Sequence, residues 1–157
     1  LFLKKIKSAG FHLNEIDALI GPAMGAVPLM YTLQHFFELE HVRVMYTECG
    51  DNGEYVLNRG FRLDSDMRIL IIDDVVSTFR TIRSTIQALH IACGKQTGWE
   101  AMVVGIAALI DRTPADRKPP EWFAPALKFT AGLRIPEEAY TPEECDPCRK
   151  GIPLVKA

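Results

Sequence analysis

The sequence predicts an α/β domain, a mostly parallel sheet covered by helices. Three observations carry that prediction. Short apolar runs alternate with segments of helical spacing, as the units of a parallel sheet require. A glycine-bounded turn, Gly21-Pro22-Ala23-Met24-Gly25, separates one such run from the helical pattern after it. A third run ends on two adjacent carboxylates and passes through hydroxyl residues into another helical pattern.

In chain order, Ile16 to Ile20 reads as a strand, and Val27 to Leu39 as a helix with apolar residues on one face. Val42 to Thr47 is the next strand. The polar turn Gly50-Asp51-Asn52-Gly53 follows, and then an extended piece, Glu54 to Leu57, which reads as either a hairpin or a mobile loop. Arg68 to Ile72 forms a strand ending at Asp73-Asp74, and Thr81 to Ala92 a helix with Ile82, Ile86, Leu89 and Ala92 on one face. Ala101 to Ile110 is a buried strand and Leu127 to Leu133 a last one. The Pro-rich stretch Thr113 to Pro125 is a surface connection, and the tail Pro136 to Ala157 is expected to be irregular.

Bulk properties narrow the function classes. With 157 residues, one domain with one core is expected, burying about two thirds of the surface that the unfolded chain exposes. A formal charge of -2 and a pI near 6.1 argue against a surface built to neutralise nucleic-acid phosphates, so any anion site must be local. The run Ala101 to Ile110 falls far short of the roughly 20 apolar residues that span a bilayer. The start lacks the layout of a signal peptide, and four cysteines are too few and too unevenly placed for a secreted disulfide scaffold. A cytoplasmic protein without membrane or nucleic-acid partners is expected.

The chemistry concentrates in Ile71-Ile72-Asp73-Asp74-Val75-Val76-Ser77-Thr78-Phe79-Arg80-Thr81. Two carboxylates at a strand end can accept hydrogen bonds from sugar hydroxyls. The amides and hydroxyls of the turn that opens the next helix can hold a phosphate. The earlier turn at Ala23, Met24 and Gly25, also between strand and helix, can present amides to a second phosphate group.

This segment resembles the signature of the type I phosphoribosyltransferases: an apolar strand, two acids, two apolar residues, two hydroxyl or small residues, Gly, a variable residue, then Ser or Thr. The resemblance implies that family's fold and a binding site for phosphoribosyl pyrophosphate formed by Asp73, Asp74, Val75, Val76, Ser77, Thr78, Phe79, Arg80 and Thr81. Asp73 and Asp74 would hold the ribose hydroxyls as the catalytic pair, and Ser77, Thr78 and Thr81 the 5-phosphate. Ala23, Met24 and Gly25 correspond to the family's pyrophosphate loop. Within the family, Tyr55 to Arg62 and Pro142 to Leu154 look like segments of orotate phosphoribosyltransferases, and Arg83 matches an arginine that contacts the base. Implied with these are Mg²⁺ held mainly by the substrate, orotate as acceptor, a place in pyrimidine biosynthesis and a homodimer.

Three departures accompany the resemblance. Phe79 stands where the family has Gly. A left-handed backbone there costs about 1–2 kcal/mol, whereas a compatible backbone with the ring turned to solvent avoids the cost, so binding is weakened, retained or retuned. Thr47 to Glu54, the counterpart of a mobile loop with Lys and Arg, has no basic residue, and Cys49 stands where one is expected. The Ser-Gly-x-His-Ser type segment that orotate enzymes carry at the front is not found before Leu1, so an N-terminal segment is expected to be missing. These departures keep a second reading open, a regulator of the same fold that binds the donor or a nucleotide without turnover. Cys145 and Cys148 have Cys-x-x-Cys spacing, half of a zinc site or a redox pair, and read more simply as two inert thiols.

Overall fold

A computed structural model describes residues 1–64, 66–94, 102–115, 120, 122–123, 127–137, 140 and 143–152. Its strands are β1 (Ala18–Pro22), β2 (Arg43–Cys49), β3 (Tyr55–Val56), β4 (Ile69–Val76), β5 (Val103–Asp111) and β6 (Lys128–Arg134). Its helices are α1 (Phe2–Ser8), α2 (Ala26–Phe36), α3 (Arg80–Ala92) and α4 (Asp146–Arg149). The six strands form one sheet in the order β3-β2-β1-β4-β5-β6, parallel throughout except for β3, which runs antiparallel to β2. Of the two readings for Glu54 to Leu57, the structure has the hairpin: Glu48 pairs with Val56 and Cys49 with Tyr55.

The period of two along each strand divides the core into two clusters, one per face of the sheet. Ile69 and Ile71 of β4 pack with Ile20 and Ile106 beneath Ile82, Ile86 and Leu89 of α3. Leu70 and Ile72 pack with Leu19 and Ala107 beneath Phe2 and Ile6 of α1 and Ala26, Met30 and Leu33 of α2. The central strands are thus buried on both faces, which is why they read as continuous apolar runs rather than alternating ones.

The tail expected to be irregular carries the helical turn α4, where Pro147 sits just inside the N-terminus and its missing N–H costs nothing. Much of the Thr113 to Pro125 connection lies outside the described residues, but Phe123 within it is half-buried against the core rather than on the surface. The ends of β1, β2, β4 and β5 converge on one edge of the sheet. In parallel sheets the turns that receive ligands collect at that edge.

Candidate functional site

β4 does not stop at Ile72. Its ladder with β5 continues through Asp73↔Ala108 to Val76↔Asp111, so both carboxylates sit on the last ordered part of a strand. Asp73 is 3% exposed. Burial first, then its hydrogen bond and charge interaction with Asp74, push its pKa up to about 7, although the Asp74 backbone N–H donates to Asp73 Oδ1 at 3.0 Å. Asp74 is half-buried and continues the alternation of Leu70 and Ile72 towards the α2 face.

There it meets the other turn. A Cβ added at Gly25 would stand 2.6 Å from Asp74 Cγ, so only glycine admits this carboxylate against the start of α2. Gly21, near the end of β1, is equally confined: a Cβ would lie 2.7 Å from Ala26 Cβ and closer still to the Ile72 carbonyl oxygen. The Ala23 N–H donates to the Thr47 carbonyl at 2.8 Å, fixing this turn to β2, and the Ala23–Met24 peptide is cis. Thr47 in turn shares a 3.1 Å hydroxyl hydrogen bond with Thr85 of α3, both side chains fully buried. Ala23 to Gly25 and the Asp73-Asp74 strand end are therefore adjacent through the close approach of Asp74 to Gly25.

Beyond β4, Ser77, Thr78 and Arg80 are exposed and Thr81 is half-buried. Helix α3 begins without a side-chain cap, which leaves its first amides open to an anion, and the Phe79 carbonyl accepts from Arg83 N–H at 2.9 Å. A hollow of about 20 Å³ lies against Asp73 and Val75 to Ile82. Arg80 and Arg83 stand three residues apart on α3 and are exposed, with no ion pair to either turn among the described residues.

Phe79 has φ 59° and ψ 5°, in the left-handed region, so the compatible backbone that would spare Phe the cost is not the one adopted. Nor is the ring turned to solvent. It is 7% exposed and stands edge-on to Phe129 of β6 at 5.2 Å and to Phe123 at 5.7 Å. Burying a Phe contributes about 1.5–3 kcal/mol and each edge-to-face pair about 0.5–1.5, which offsets a left-handed cost of about 1–2. The backbone thus has the turn expected of glycine, stabilised by a ring in the core.

Three features of this edge are not evident from the motif. Asp111, 5% exposed at the end of β5, accepts from Thr113 N–H at 2.9 Å and Thr113 Oγ1 at 2.7 Å and lies 3.8 Å from Arg134 Nε. Arg112, whose N–H donates to the Val76 carbonyl at 2.7 Å, pairs with Glu137. Their signal was an acid closing an apolar run, Ile110-Asp111, the same pattern as Ile72-Asp73. Arg59 reaches back from the segment after β3 and grips Glu48 with two hydrogen bonds, 2.8 and 3.1 Å, so a guanidinium stands at the base of the loop that has none of its own. Elsewhere, Cys145 caps α4 and Cys148 lies within it, and the hydrogen bond that the Cys148 thiol makes to Cys145 holds that thiol above its ordinary range. Among the described residues no cluster of three or more ligating side chains accompanies them.

A carboxylate pair between two strand-to-helix turns at one edge of a parallel sheet is an arrangement that can accept hydrogen bonds from sugar hydroxyls and present backbone amides to phosphate. The family described as "Phosphoribosyl transferase domain" matches residues 2–125. Orotate phosphoribosyltransferase of Caldicellulosiruptor bescii is 34% identical over 148 residues, covering 93% of this chain and 68% of that protein. Among solved structures, orotate phosphoribosyltransferase from Aeropyrum pernix superposes with TM-score 0.57 at 20% identity, over 85% of this chain and 67% of that one. Purine phosphoribosyltransferase from Pyrococcus horikoshii does so with TM-score 0.56 at 17% identity, over 99% and 90%. The chain belongs to the type I phosphoribosyltransferase family, a family of transferases. No helix among the described residues is long and apolar enough to cross a membrane.

Proposed function

We propose that this protein is an orotate phosphoribosyltransferase, transferring ribose 5-phosphate from phosphoribosyl pyrophosphate to orotate to give orotidine 5-phosphate and pyrophosphate in pyrimidine biosynthesis. The observation that carries the reading is the whole-chain likeness to proteins of that name, 30–34% identical over 90–95% of this sequence. A single domain over residues 1–157, a homodimer and a cytoplasmic setting belong to the same reading.

In this assignment Asp73 and Asp74 accept hydrogen bonds from the ribose hydroxyls. Ser77, Thr78 and Thr81, with the amides of Val75 to Thr81, receive the 5-phosphate, and Arg80 adds a charge-assisted contact. The amides of Ala23, Met24 and Gly25 receive the pyrophosphate, and Arg83 faces the orotate carboxylate. An orotate nitrogen forms the new bond at the anomeric carbon while the carbon–oxygen bond breaks and pyrophosphate leaves with the electron pair. The oxocarbenium-like character of that step asks the protein for positioning and charge stabilisation, not for a nucleophile. Mg²⁺, when bound, supplies charge neutralisation on the pyrophosphate. The half-buried carboxylate of Asp74 beside Gly25 suits an ion that takes one or two carboxylates and completes its shell from substrate and water.

Calorimetry with phosphoribosyl pyrophosphate and Mg²⁺ tests the donor site. Asp74→Asn is expected to weaken binding by about 10- to 100-fold, and equal affinity in the two proteins rejects the assignment. Orotate consumption, followed by its absorbance, tests turnover. The second reading, a regulator that binds donor or nucleotide without turnover, is favoured by the loop Thr47 to Glu54, whose sequence contains no Lys or Arg. It stands if the donor binds and orotate is never consumed.

A further inference from the structure

We propose that Phe79 is a positioning residue: its ring, seated between Phe123 and Phe129, clamps the Ser77 to Thr81 turn in its phosphate-receiving shape, so that β6 and the connection before it form part of the site's scaffold. The proposal rests on the reading of this turn as a phosphate cradle. Its support is geometric. The residues on both sides of Phe79, Thr78 and Arg80, are exposed, while Phe79 itself is buried with Val76, Ile82 and Leu127 in the cluster beneath α3. The turn is therefore pinned at its midpoint. Its hydroxyls and open amides lie on a rim whose only inward-pointing side chain between Val76 and Ile82 is this ring, apart from the half-buried Thr81.

The pin reaches two separate pieces of chain. Phe129 belongs to β6, held in register by its partner Ile106 on β5. Phe123 lies in the connection before β6, fixed by its N–H to the Pro120 carbonyl at 2.8 Å and by the Trp122 ring at 5.7 Å. A glycine at position 79 would adopt the same left-handed turn more easily, but nothing would then tie it to these elements. Backbone permissiveness and side-chain anchoring thus make opposite predictions for one substitution.

Hydrogen–deuterium exchange on the whole free chain separates them. In Phe79→Gly and in Phe123→Ala, amides 77–81 are expected to exchange at least about tenfold faster, with the β4 amides 69–72 unchanged. Phe79→Leu, which keeps a buried apolar side chain, should restore most of the protection. Equal or slower exchange in Phe79→Gly overturns the clamp, and so does fast exchange in that variant with Phe123→Ala at the wild-type rate. Should Phe79→Gly fail to fold, Phe123→Ala decides alone by the same criterion. Calorimetry with phosphoribosyl pyrophosphate follows, with about tenfold weaker binding expected in Phe79→Gly and recovery in Phe79→Leu. Undiminished affinity in Phe79→Gly also overturns the clamp. If the wild type binds no donor, the donor-site reading falls while exchange still decides whether the ring pins the turn.

Discussion

Two turns at the same edge of the sheet solve one problem by opposite means. The connection from β1 into α2 brings its backbone close to its neighbours by having no side chains in the way: Gly21, near the end of β1, lies against the Ile72 carbonyl and Gly25 against Asp74. The turn after β4 takes a left-handed residue at Phe79, where glycine is the permissive choice, and fixes it with a phenyl ring in the core. A tight turn needs a backbone free to bend and a reason to stay bent. The first turn derives the second requirement from close packing around a missing Cβ, the other from hydrophobic anchoring that outweighs the conformational cost.

The strand end between the turns gives the largest expected effect. Because the folded pKa of Asp73 is raised to about 7 from 3.8, the folded chain keeps a proton between those values that the unfolded chain has lost. Stability is therefore full below the unfolded pKa and falls as pH rises through the folded one. Asp73→Asn removes that dependence, and the wild type should lose up to about 4 kcal/mol more than the variant between pH 4 and pH 8 by denaturant melts. Parallel pH curves would remove the buried-proton account.

Next in size is Gly21→Ala. Its Cβ meets backbone that cannot move independently, so a loss of about 3 kcal/mol, seen as a lower urea midpoint at unchanged slope, is expected. A loss below about 0.5 kcal/mol would show that the first turn is not held by close packing. Smallest in stability is Gly25→Ala, since the Asp74 carboxylate it displaces is the movable end of a side chain. The expected signature is donor affinity about tenfold weaker, roughly 1.4 kcal/mol, at an almost unchanged melting temperature. Unchanged affinity would separate Asp74 from the first turn's role.

The alternation of apolar runs and helical spacing was enough to find β1, β2, β4, β5 and β6 with α2 and α3, most clearly at β1, β4 and β5, where burial on both faces leaves an almost unbroken apolar signature. The acidic pair marked the centre of the candidate site, because charges that close such a run have few structural uses. The extent of β4 was not legible. Asp73 to Val76 look like a loop by composition and are strand because β5 continues the ladder beside them. Helix α1, with Phe2 and Ile6 one turn apart, is short enough for its period to escape notice. The conformation of Phe79 depends on rings brought up from β6 and the segment before it, and no local pattern around Thr78-Phe79-Arg80 encodes them.

The three phenyl rings also bind the fate of one position to two others. A glycine at position 79 would free the backbone but leave Phe123 and Phe129 facing a void the size of a ring, so the permissive residue is unfavourable in this background unless its partners change as well. Positions 79, 123 and 129 are therefore expected to show coupled rather than additive effects in double mutants.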